Sequence, residues 1–292
     1  MKKPLDRPIF ILGAARSGTQ ILGELLGMHR DVKYWIEPKY IWRYRRPLAK
    51  SDIRTEKEAT PHVSSYIRRR FANHAAKHGA ARFLEKTPSN CFRIPFMASI
   101  FPEGKYVHIV RDGRDVALSA QKKWQSKPDP TAIWRRLTSF EIPLADLPFY
   151  GADMLRDVIG RRVLPKKGFI WEPHFPGIRE VRKNHSVLET CAIQWRECMV
   201  AIDQHKHHIP AENLFTIHYE AILANPAEKM KEIFDFAGLA HDTAVLDFAA
   251  ENLMQRNFNK WKTADQESIQ RIEQLMDSEL QKWGYEVGMK KK

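Results

Sequence analysis

The sequence of 292 residues predicts an α/β fold, a parallel sheet flanked by helices, because three short apolar runs each pass directly into a capped, amphipathic helix. A composition of 43% hydrophobic and 11% aromatic residues is ample for one large packed domain. At the first strand-to-helix junction lies Gly13-Ala14-Ala15-Arg16-Ser17-Gly18, a turn of the size that wraps a phosphate, so the sheet is expected to be of the P-loop type.

Ile9 to Leu12 is the first strand, and Ile21, Leu22, Leu25 and Leu26 recur at helical spacing after the turn. Val32 to Trp35 reads as a second strand, and Phe83-Leu84 as the end of another. Tyr106 to Val110 is a buried-type run. It feeds a helix bearing Val116, Ala117 and Ala120, with Asp112 as N-cap and Asp115 in the first turn. Leu214 to Ile217 opens the third unit, in which Asn225 caps, Pro226 starts and Met230, Ile233, Phe234 and Ala237 line the helix. A helix from about Ala264 to Trp283 closes the chain, and the tail Lys290-Lys291-Lys292 is expected to fray. Residues 44–82, rich in Arg and His, and residues 121–185, aromatic and punctuated by proline, break this rhythm. They are expected to be helical or irregular insertions in a single domain, 1–292, forming lids or walls over a site.

Lys and Arg number 48 against 35 Asp and Glu, a net charge of +13 that favours polyanions, anionic surfaces or acidic small molecules without choosing among them. No apolar stretch is long enough to cross a membrane, and MKKPLDRPIF lacks a signal-peptide core, so a cytoplasmic protein is expected. Cys91, Cys191 and Cys198 lack metal-ligand spacing and read as core thiols in a reducing compartment. His205, His207 and His208, and the pair His74 and His78, have no acidic or Cys companions and read as solvated faces rather than a metal site.

Gly13-x-x-x-x-Gly18-Thr19 puts Thr19, then Gln20, where an ATP-binding loop has its lysine. That lysine grips a triphosphate, so its absence weighs against a small-molecule or nucleoside kinase; a single 5′-phosphate needs only the loop and a cation such as Arg16. No Asp directly ends an apolar strand either, because Arg111 follows Val110. A non-catalytic polyanion-binding module is the other alternative, prompted by the net charge and by Arg43, Arg45, Arg46 and Arg68-Arg69-Arg70. In Arg111-Asp112-Gly113-Arg114-Asp115 with Ser119, an arginine and a hydroxyl arrive at the same end of the sheet as the first loop, which suits a second, separate phosphate.

Arg16-Ser17-Gly18-Thr19 followed by Val110-Arg111-Asp112-Gly113-Arg114-Asp115 and Ser119 resembles the sulfotransferases that use 3′-phosphoadenosine 5′-phosphosulfate (PAPS). The resemblance implies that Arg16, Ser17, Gly18, Thr19 and Gln20 hold the 5′-phosphosulfate and that Arg111 and Ser119 hold the 3′-phosphate. Glu85-Lys86-Thr87-Pro88 is similar to the family's lysine motif, His218-Tyr219-Glu220 to its adenine-side tyrosine segment, and Asn259-Lys260-Trp261 to the basic element over the 3′-phosphate. Tyr219, Lys260 and Trp261 thereby join the expected cofactor-binding set. Asp31-Val32-Lys33 with Glu37, and Cys191-x-x-x-Trp195, are most similar to the carbohydrate and tyrosylprotein branches; Pro88 stands where the aryl and steroid branch has histidine.

In-line sulfuryl transfer needs cations on the leaving group and a base for the acceptor hydroxyl. Lys86 and Arg16 are the expected cations, with no metal required. Glu37 is the expected base, its pKa raised by Trp35, Ile36 and Pro38, with His108 and His218 as the reserve. A carbohydrate, lipid or other small hydroxylated acceptor is implied, and nucleic acid is not.

Overall fold

The computed structural model describes residues 6–46, 49–126, 170–253 and 258–288. Most of the 121–185 segment and the Lys290–Lys292 tail lie outside the described residues. Five parallel strands, β1 (Ile9–Leu12), β2 (Val32–Ile36), β3 (Arg82–Lys86), β4 (Lys105–Val110) and β5 (Leu214–His218), form a sheet in the order β2-β3-β1-β4-β5. The chain leaves β1 toward β2 and leaves β4 toward β5, so neighbouring strands part in opposite directions and open a crevice at their carboxyl ends.

Both faces of the sheet are covered, and the alternation of side chains along β1 shows how. Phe10 and Leu12 face a core built with α3 (Pro61–Lys77), α4 (Ile94–Ile100), α5 (Gly113–Gln125), α7 (Val187–His205) and α11 (Gln266–Lys282). The lesser helices on the way are α2 (Lys39–Trp42) and α6 (Ile178–Asn184). Ile9 and Ile11 face a second core with α1 (Thr19–Met28), α8 (Tyr219–Ala224), α9 (Pro226–Ala237) and α10 (Thr243–Leu253).

Helix α3 lies within 44–82 and is the crossover from β2 to β3. Thr60 caps it by accepting from the Val63 N–H at 3.4 Å, Pro61 starts it, and Val63, Tyr66, Ile67, Phe71 and Ala75 form a buried stripe. Arg68-Arg69-Arg70 sit between members of that stripe, which is why the segment reads as basic in sequence. A good part of 44–82 is therefore core structure. The final helix runs Gln266–Lys282, capped by Asp265, which accepts from the Ser268 N–H at 3.0 Å.

Candidate active site

Gly13 to Gly18 leaves β1 and enters α1 with three residues at positive φ, Gly13 at 152°, Arg16 at 75° and Gly18 at 95°. Gly18 is required twice over. A Cβ there would lie 2.4 Å from the Tyr219 ring, and a glycine N-cap leaves the first N–H groups of α1 without a side-chain partner. Ser17 is fully buried and its Oγ has no hydrogen-bond partner among the described residues. Unsatisfied donors grouped at a helix N-terminus are a cradle for an anion. Gln20 turns outward, its side chain donating to Glu24 at 2.8 Å, so it offers the loop only its backbone N–H.

Across the crevice, Arg111 directly follows β4 and is 9% exposed. Its guanidinium donates to the Arg16 carbonyl and to Asp115 Oδ2, both at 3.2 Å, and lies 4.6 Å from the Tyr219 ring centre, yet its Nε has no partner among the described residues. Arg16 Nε donates to Ser119 Oγ at 3.2 Å. Burial lowers the Arg16 pKa, and the nearby Arg111 guanidinium lowers it further. The structure thus brings Arg16, Arg111, Ser119 and Tyr219 together as sequence reasoning expected. Two adjacent guanidiniums repel until an anion joins them.

Supports that the sequence did not reveal hold this pair. Trp195 Nε1 donates to the Arg111 carbonyl at 3.2 Å, and its indole packs so closely on Gly113 that a Cβ there would sit 2.7 Å away. Asp115 accepts from the backbone N–H groups of Asn259 at 2.9 Å and Trp261 at 3.1 Å, so it ties the Lys260 element to the Arg111 helix. Lys260 is exposed beside them. Trp261 is buried with Arg114 stacked 3.5 Å from its ring centre, next to Lys260.

On the other side of the loop, β2 and β3 pair in register with Ile36 opposite Lys86, so Glu37 emerges beside the lysine. Lys86 is 3% exposed and its Nζ donates to Glu37 Oε1 at 2.8 Å. Glu37 adopts φ 50°, unusual for a residue with a Cβ, and its N–H donates to the Lys86 carbonyl at 3.1 Å. Lys39, two residues on, brings its Nζ to 3.6 Å from Glu37 Oε2. The expected rise in the Glu37 pKa is overturned. Burial does push the carboxyl up, but Lys39 and Lys86 outweigh it and bring the pKa down to about 2.

The reserve bases do not reach this corner. His108 is buried within β4 against Trp283, and burial together with His218 depresses its pKa to about 3. His218 ends β5 and pairs with the Tyr285 hydroxyl at 3.2 Å. Three strand spacings, about 14 Å, separate β4 from β2 and four, about 19 Å, separate β5 from it, so neither histidine shares an acceptor with Glu37. Among the described residues no group of three or more His, Cys, Asp or Glu is arranged to hold a metal ion, and no helix is long and apolar enough to cross a membrane.

A family model described as the sulfotransferase family matches residues 8–146 and 152–243. A protein-tyrosine sulfotransferase of Drosophila melanogaster is 23% identical over 249 residues, 82% of this chain but 39% of its own length. The nodulation protein NoeE of Sinorhizobium fredii is 25% identical over 41% of this chain and 32% of its own length, so the chain spans less than half of these relatives. Among solved structures, sulfotransferase STF9 of Mycobacterium avium superposes with a TM-score of 0.55 at 11% identity, covering 99% of this chain and 79% of that one. The sulfotransferase domain of the curacin biosynthetic pathway gives 0.51 at 14% identity, covering 98% and 100%. With the family match extending over most of its length, and with the parallel sheet and loops described above, the chain belongs to the sulfotransferase family.

Proposed function

We propose that the protein transfers the sulfuryl group of PAPS to a hydroxyl of a carbohydrate, lipid or other small acceptor. The observation that carries this reading is a pair of arginines flanking one phosphate-sized loop: Arg16 beside the partnerless Ser17 Oγ and the α1 N-terminus, and Arg111, whose Nε has no partner among the described residues, with Ser119 between them accepting from Arg16. Two such positions suit a nucleotide carrying separate 5′ and 3′ anions, whereas a mononucleotide fills only one. Thr19, buried at the first position of α1, and Lys260 complete the two sets, and the Arg111 guanidinium lies over the Tyr219 ring.

PAPS supplies the activated sulfuryl group when bound. Glu37 accepts the proton of the acceptor hydroxyl on a carboxylate oxygen. Lys86 has two N–H groups besides the one on Glu37, and these can meet the negative charge that gathers on the departing phosphate. Sharing Lys86 in this way loosens its hold on Glu37 and makes the carboxylate more basic as transfer proceeds. Side-chain cations thus cover the charge, and the rate is expected to be indifferent to added magnesium or a chelator. The buried free thiols of Cys91, Cys191 and Cys198 fit a reducing, cytoplasmic setting.

Thermal unfolding with nucleotides tests the two-anion reading. Adenosine 3′,5′-bisphosphate at a hundredfold excess over its Kd stabilises by about 2.7 kcal/mol, with AMP and ATP giving much smaller shifts at equal concentration. Equal shifts with AMP would refute it.

A further inference from the structure

Beyond Lys86, Glu37 meets a charge chain that the in-line reaction does not use. Its Oε2 faces Lys39 Nζ at 3.6 Å, and Lys39 is itself ion-paired with Glu172 Oε2. Glu172 Oε1 in turn lies 3.3 Å from Arg43, and Arg43 lies 3.2 Å from Asp52. Asp52 is anchored deep in the core, accepting from Ser89 Oγ and the His174 N–H at 2.8 Å each and facing Arg93 at 3.6 Å. Four stretches of the chain converge here: the end of β2 with α2, the segment between α2 and α3 that carries Asp52, the turn after β3 and the segment before α6. Lys39 and Glu172 have side chains 17% and 13% exposed, so their charges are poorly screened.

We infer that Lys39 and Glu172 are a positioning pair for the Glu37 base. Glu172 holds the Lys39 ammonium against the carboxylate oxygen that Lys86 does not use, so one cation stays on Glu37 while Lys86 turns to the leaving group. Glu172 also divides the charge of Lys39, which keeps Glu37 from being locked in a tight ion pair. The inference rests on Glu37 being the base. Among the described residues, Lys39 from α2, Lys86 from β3, Glu172 and Tyr34 from β2 are ionisable groups that act on Glu37. Burial would raise the pKa of Glu172, but Lys39 and Arg43 outweigh it, and Glu172 is ionised at neutral pH. Lys39 lowers and Glu172 raises the Glu37 pKa, so substituting each should move it in opposite directions.

The test is a carbon-13 NMR titration of the full chain labelled at glutamate Cδ, with the Glu37 resonance assigned by its loss in Glu37→Gln. PAPS turnover, followed as adenosine 3′,5′-bisphosphate release, is measured in parallel. Lys39→Met should raise the Glu37 midpoint by about one pH unit or more, and Glu172→Gln should lower it. Lys39→Arg should keep the parent midpoint, and the acidic limb of kcat should follow the same order. Unmoved midpoints, or shifts of the same sign in Lys39→Met and Glu172→Gln, would overturn the inference. Should Glu37→Gln retain near-parent turnover, the base assignment itself fails, an outcome distinct from a Glu37→Gln that is inactive while the two midpoints stay fixed.

Discussion

Replacing Arg111 with alanine removes the guanidinium that bridges the Arg16 carbonyl, Asp115 and the face of Tyr219. Asp115 keeps two backbone partners, the N–H groups of Asn259 and Trp261, so the Lys260 element stays seated and the fold should lose little. What is lost is one cation with an unpartnered Nε at the position assigned to the 3′-phosphate. A charge-assisted contact of this kind contributes about 2–3 kcal/mol, a weakening of about 30- to 150-fold for adenosine 3′,5′-bisphosphate. Isothermal titration calorimetry should show that loss for the bisphosphate and at most about threefold for AMP, which lacks the 3′-phosphate. An equal loss for both nucleotides would refute the division of the crevice into a 5′ and a 3′ side.

Lys86→Ala should lower turnover by about 10²-fold with little change in bisphosphate affinity, measured by single-turnover kinetics and calorimetry. Glu37→Gln should reduce turnover by about 10²–10⁴-fold at unchanged nucleotide binding. Gly18→Ala should destabilise the fold by about 1–3 kcal/mol in urea and weaken nucleotide binding, because its Cβ would have to share space with the Tyr219 ring at φ 95°. Stability should also report Glu37. Its folded pKa, about 2, lies below its unfolded value, so its contribution is complete above the ordinary carboxylate range and lost as pH falls toward 2. The stability gap between the parent and Glu37→Gln should therefore narrow on acidification, and a gap that widens would contradict the pairing with Lys39 and Lys86.

The strands β1 and β4 were legible because each is an apolar run with a turn or cap directly behind it, as Gly13–Gly18 and Asp112 show, whereas β5 runs first into the short helix Tyr219–Ala224 and Asn225 precedes the next one without a side-chain cap. A helix within 44–82 was legible, but its ends and its buried face were not, because Arg68-Arg69-Arg70 interrupt the stripe. At the site, Arg16, Arg111 and Ser119 could be placed together because both loops leave the same edge of a parallel sheet. The charge state of Glu37 could not be read in the same way. Lys39 is two residues away in sequence, and only the positive φ of Glu37 and the approach of Glu172 fix where its ammonium lies. Asp115 looked like a helix-terminus acid; its partners, Asn259 and Trp261, lie more than a hundred residues further on, a distance no local pattern spans. Nor could the stacking of Arg114 on the Trp261 ring be read, since the two lie far apart in the chain.

The most direct test of the whole account is to incubate the protein with PAPS and a panel of hydroxylated sugars, lipids and phenols, with and without magnesium, and to follow products by mass spectrometry. The account predicts a sulfated acceptor together with an equal amount of adenosine 3′,5′-bisphosphate, at a rate that magnesium changes by less than about twofold. Consumption of ATP instead, dependent on magnesium and yielding a phosphorylated acceptor, with no turnover of PAPS, would contradict it.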